Sequence, residues 1–109
     1  MDNNALVIVD REGTIRHWNT RAEQWFGYAA GTAVGQTLDL IVPPEFRADH
    51  WTGFRRAMDA GAAEMDGRSA PFPVRCATGV VTPFVGALTL LRDAGRRVIG
   101  AAVVFEPGA

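Results

Sequence analysis

His50 is the residue in this chain best placed to do chemistry. It lies in Pro43-Pro44-Glu45-Phe46-Arg47-Ala48-Asp49-His50-Trp51-Thr52-Gly53-Phe54-Arg55-Arg56-Ala57-Met58-Asp59-Ala60-Gly61. Within that run Phe46, His50, Gly53, Phe54, Ala57 and Met58 recur at spacings of three and four, which predicts one helical face turned inward. Arg47, Arg55, Arg56 and Asp59 are left for the wet side. An imidazole in the middle of an inward stripe is either a hydrogen-bonded core group or a ligand for something held in the interior. The other reactive types are more scattered. His17 reads as a half-exposed strand residue. Asp39, Asp49 and Asp59 are single carboxylates without an evident partner, and solvated helix charge is the better reading of them. Cys76, the only cysteine, excludes an internal disulfide and a cysteine-based zinc site and reads as a small hydrophobe. No Gly-rich phosphate loop, His-x-Glu metal pair or Ser/His/Asp constellation is present, so the expectation is a protein that is not itself an enzyme.

The elements that must position His50 can be read from patterning. Pro43-Pro44 suits the first turn of a helix spanning Pro43 to Gly61, and Gly61 suits its end because glycine takes the left-handed conformation without strain. Ahead of it, Ala5-Leu6-Val7-Ile8-Val9 predicts a strand, Asp10-Arg11-Glu12-Gly13 a turn, and Thr14-Ile15-Arg16-His17-Trp18 a second strand. Asn19 or Thr20 then caps a helix carrying Ala22, Trp25 and Phe26 inward and ending at Gly27, with Thr20 and Glu23 at capping-box spacing. Tyr28 to Gly35 admits one helical turn, and Leu38 to Val42 is either a helical turn or a short extended piece. After Gly61, Ser69 to Cys76 predicts a strand whose Pro71 and Pro73 push it to an edge. Ala77-Thr78-Gly79 is a turn, Val80 to Leu91 a central strand bent near Pro83 and Gly86, and Arg97 to Phe105 the last strand. The order predicts an α+β domain, an antiparallel sheet with helices on one face that can enclose a pocket.

Bulk composition narrows the function class. The 109 residues support a single domain, 1–109, and 48% hydrophobic content is that of a folded chain. Eleven basic against twelve acidic residues leave a net charge of -1, and neither Arg55-Arg56 nor Arg96-Arg97 makes a basic patch, so direct nucleic-acid binding is not expected. No apolar run reaches membrane-spanning length and the N-terminus lacks a basic signal start, which makes the cytoplasm the expected location.

The spacing Asp10-x-x-Gly13-x-Ile15-x-x-Trp18-Asn19-x-x-Ala22-Glu23-x-x-Phe26-Gly27-Tyr28, followed by Gly35-x-x-Leu38 and Val42-Pro43, resembles the opening of PAS domains, and the similarity runs over essentially the whole chain. The resemblance implies a five-stranded antiparallel sheet of order 2-1-5-4-3, with short helices and one long helix on one face. It also implies a sensory or interaction role, often as a homodimer that signals to a partner such as a histidine kinase or regulator. One departure is Cys76-Ala77-Thr78-Gly79, where a charged hairpin such as Lys-Asp-Gly is usual. The chain also begins almost at the first strand, so the N-terminal helix through which many such domains dimerise is either absent or outside these residues.

His50 falls where the haem-binding PAS domains, the bacterial oxygen sensors, carry their iron-ligating histidine, in a pattern similar to Arg47-x-x-His50-x-x-x-Phe54. The resemblance therefore implies haem b as a cofactor, with His50 on the iron. Phe46, Trp51, Phe54, Met58 and Met65 would be pocket residues. Arg68, in a Gly67-Arg68 pair similar to that of some oxygen-sensing members, would contact the bound gas. A surface arginine beside Asp66 is the plainer reading of Arg68. Flavin is a poorer fit: Trp18, Trp25 and Trp51 offer stacking surface, but the reactive cysteine of the light-sensing type is absent from its helix motif, and Cys76 lies in the wrong element. Two function classes remain. One is a sensor holding haem or a small organic ligand beneath the long helix; the other is a ligand-free interaction module that docks through the outer sheet face, which exposed apolar strand residues would favour.

Overall fold

A computed structural model describes residues 3–107 of the chain. Strand β1 (Ala5–Asp10) alternates as the sequence pattern requires, with Ala5, Val7 and Val9 buried. It forms an antiparallel hairpin with β2 (Ile15–Trp18). Three helices follow, α1 (Thr20–Phe26), α2 (Ala30–Ala33) and α3 (Arg47–Ala60), with 3-10 turns at Leu38–Leu40 and Pro44–Phe46 between α2 and α3. The chain closes with β3 (Ser69–Arg75), β4 (Val81–Arg92) and β5 (Val98–Phe105). The sheet order is β2-β1-β5-β4-β3 with antiparallel neighbours throughout, as expected.

Register explains where the core sits. Val7 faces Val103, which faces Leu88 across the next seam, and Val9 faces Ala101, which faces Leu90, so these six share the inner surface. Against it Phe26 sets its ring edge-on to Phe105 at 5.1 Å, Phe84 at 5.2 Å and Trp18 at 5.6 Å. Trp25, half-buried, stacks on Phe84 at 5.9 Å. Cys76 is half-buried beside the Trp25 carbonyl, and burial raises its thiol pKa despite a lowering hydrogen bond with Thr82. Pro71 and Pro73 lie on β3, an edge strand, as predicted. Pro83 is tolerated in β4 because pairing with β5 begins only at Gly86 opposite Phe105, so β4 has a single strand neighbour where the proline sits.

Two local expectations are corrected. Of the two cap candidates it is Asn19 that caps α1, so the Thr20–Glu23 capping box does not form: the Asn19 side-chain oxygen accepts from Ala22 N and from Leu6 N, both at 3.0 Å. Glu23 does not return to the cap. Its carboxylate accepts from Ala30 N at 2.6 Å and so caps α2, which has no side-chain cap of its own. The stretch from Pro43 to Gly61 is also not one uniform helix. The α-helix proper begins at Arg47, after the 3-10 turn at Pro44–Phe46.

Candidate ligand-sensing site

The tighter winding of the 3-10 turn takes Phe46 out of register with α3, and Phe46 is 45% exposed. Gly53 is exposed as well, so the inward stripe is not the predicted one. Ala57 and Met58 are buried in the core. In the first two turns of α3 His50, Trp51 and Phe54 are half-buried, as is Arg47, and the three rings form one cluster. His50 lies nearly parallel to Phe54 at 6.2 Å and edge-on to Trp51 at 5.5 Å, while Trp51 and Phe54 meet edge-on at 5.8 Å.

The cluster rests on two segments that precede α3 in the chain. The Trp51 indole N–H donates to the Asp39 carboxylate at 2.9 Å. Arg47 donates to the backbone carbonyls of Val42 and Asp39, both at 3.1 Å. Beneath the indole is the β1–β2 turn. Gly13 has φ +85, and a Cβ there would stand 2.5 Å from Trp51 Cη2, so only glycine admits both this turn and this ring. On the outside, the Arg55 guanidinium lies over the indole at 5.3 Å.

The His50 Nδ1 is buried and has no hydrogen-bond partner among the described residues. A buried polar atom without a partner costs roughly 1–3 kcal/mol. Burial lowers the His50 pKa and the nearby Asp39 charge offsets only part of that, so the imidazole is held neutral. A neutral, half-buried imidazole between aromatic rings fits the donor an axial haem position requires. Among the described residues no three His, Cys, Asp or Glu side chains are grouped so as to hold a metal ion.

The remaining candidates are not gathered around His50 in the same way. Met58 belongs to the core. Met65 is half-buried in the loop that leads to β3, and its carbonyl accepts from Arg68 N at 2.9 Å. The Arg68 side chain is exposed. Its neighbour Asp66 meets Arg92 at 3.4 Å. Sequence reasoning missed Asp39, read there as an unpartnered carboxylate, and Gly13 as the seat of an indole. No periodic signal joins residues 39 and 51, or 13 and 51; only their meeting in space does.

The sequence profile described as the PAS fold matches residues 2–107. Sensor protein FixL of Bradyrhizobium diazoefficiens is 32% identical over 47 residues, 43% of this chain and 9% of that protein. Oxygen sensor protein DosP of Escherichia coli is 25% identical over 63 residues, 58% of this chain and 8% of that protein. The chain thus spans less than a tenth of the length of either relative. Among solved structures, a PAS domain from Colwellia psychrerythraea superposes with TM-score 0.80 at 18% identity, covering 96% of this chain and 86% of that one. The PAS domain of the Cronobacter turicensis quorum-sensing receptor RpfR, solved in complex with BDSF, superposes with TM-score 0.75 at 17% identity, covering 97% and 94%. Sheet order, the helices packed on one face and the profile match agree: the chain belongs to the PAS family of sensory domains.

Proposed function

We propose that this PAS domain senses a small ligand or cofactor held against the first two turns of α3, with haem as the specific candidate and His50 as its axial ligand. The observation that carries the reading is the buried, unpartnered Nδ1 of a neutral His50 inside an aromatic cluster. The matches to FixL and to a protein named as an oxygen sensor support it. A bound haem supplies an iron centre for a diatomic gas. In this reading His50 holds the group, and Phe54 and Trp51 fix the imidazole plane and shield it from water. Arg68, exposed just ahead of β3, would reach a bound gas only by moving toward the α3 site. The domain acts as a homodimer in the cytoplasm, passing its signal to a histidine kinase or regulator. The test is an absorption spectrum of the protein after haemin addition and desalting, beside His50→Ala. A retained Soret band that shifts on reduction and with carbon monoxide, and is lost in the variant, supports haem sensing. Equal retention by the variant, or none by either, removes His50 as the ligand.

The second reading, an interaction module with no haem, is favoured by one observation. Val81 and Val85 of β4 and Ile99 of β5 are 47%, 38% and 44% exposed, the kind of apolar strand residue that docking through the outer sheet face would use. Sedimentation of the protein beside Val85→Asp reads that face. A dimer lost in the variant supports docking through it.

A further inference from the structure

The C-terminus of α3 carries no basic residue in its own last turn, yet the Met58 carbonyl in that turn and the carbonyl of the capping Gly61 are met by arginines from elsewhere. Such carbonyls have no partner within the helix and carry the negative end of its dipole. The Met58 carbonyl accepts from Arg11 Nη1 at 3.0 Å, and the same nitrogen donates to the Val98 carbonyl on β5 at 2.7 Å. The Gly61 carbonyl accepts from Arg92 on β4 at 3.2 Å. Asp59 lies 3.9 Å from Arg11 but is largely exposed, so that pair adds little. A single guanidinium thus joins the long helix to a central strand through two charge-assisted bonds.

The turn that holds Arg11 is itself stiff. The Asp10 carboxylate accepts from Glu12 N and Thr14 N with one oxygen, and from Arg16 Nε at 2.8 Å with the other. Asp10 stands opposite Gly100 of β5, where a side chain would run into the Val9 carbonyl. The turn and the start of β5 are therefore one rigid piece. On that piece α3 rests twice, at Trp51 over Gly13 and at Met58 on Arg11, seven residues or about 10 Å apart along the helix axis.

We propose that Arg11 is the strut that carries displacement of α3 to β5, coupling the His50 cluster to the strand that lies between β1 and β4. A loop would absorb a small movement of the helix; a bifurcated guanidinium in a braced turn passes it on. The use of this coupling in signalling rests on the ligand-sensing reading above, but the coupling itself is measured without any ligand. The experiment is a double-mutant cycle on the apo chain, read from the amide NMR shifts of Val98, Ile99 and Gly100. His50→Ala is expected to move those signals in the wild-type background and to move them by about half as much or less beside Arg11→Gln. Arg11→Lys keeps the charge but loses the planar guanidinium and its reach, and its response is expected to fall between the two; it serves as the second background if Arg11→Gln does not fold. Equal shifts with and without Arg11, or none in the wild-type background, overturn the proposal. Failure to retain haemin does not touch it.

Discussion

The indole N–H of Trp51 donates to the carboxylate of Asp39 at 2.9 Å, across twelve residues of chain. This bond and the two from Arg47 fasten the first two turns of α3 to the segment 39–42. That segment is held in turn to the sheet, because the Ile41 carbonyl accepts from Arg75 N at 2.8 Å. The position of His50 is thus set by contacts on residues that neighbour it in space.

Asp39→Ala is expected to lower stability by about 1–2 kcal/mol, since the half-buried indole N–H loses a charged acceptor. Asp39→Asn keeps a carbonyl acceptor and is expected to recover most of that loss. Urea unfolding followed by Trp fluorescence measures both; an Asn variant as weak as the Ala variant contradicts the assignment.

Stability should fall in mild acid because of His50. Burial places its folded-state pKa below the ordinary 6.5, with Asp39 offsetting part of the shift. As pH falls, the unfolded chain takes up the proton first, so it binds more protons than the folded chain between the two values. The stabilisation is full above the ordinary value and declines as pH drops through it, until the folded pKa is reached. His50→Gln is expected to flatten the unfolding midpoint between about pH 7.5 and about pH 5.5. Asp39→Asn removes the offset and is expected to lower the folded-state pKa of His50 further, which proton NMR titration of the imidazole reads directly.

Gly13→Ala combines a left-handed backbone with a methyl group 2.5 Å from the Trp51 ring. The expected loss is about 2 kcal/mol or more. Beside Trp51→Ala the steric part disappears and only the backbone part remains, so the cost of Gly13→Ala should shrink in that background. An unchanged cost would mean that the indole does not rest on the turn.

Asn19→Ala removes a cap from α1 together with the bonds that tie that helix to β1, through Leu6 N and the Asn4 carbonyl. A cap alone is worth about 1 kcal/mol, so a loss of about 2 kcal/mol is expected. Asn19→Asp keeps the acceptor and should recover the larger share in thermal unfolding.

Much of this was legible in the residues themselves. Alternation in Ala5–Val9, the glycines that end α1 and α3, and the paired prolines of β3 fixed which segments are strands, where helices stop and which strand is an edge, because each is a local preference of backbone or side chain. The motif from Asp10 to Tyr28 pointed to the family, and with it to the sheet order that the fold then displayed. Which side chains face one another was decided only in three dimensions. Helical periodicity continued back through Pro43 put Phe46 on the inner face, but the 3-10 turn changes the angle per residue and leaves Phe46 in water. Asp39 meets Trp51, Glu23 caps a helix other than its own, and Arg11 joins residues 58 and 98. Those pairings depend on where separate elements come to rest against a shared core, and no spacing along a single element encodes that.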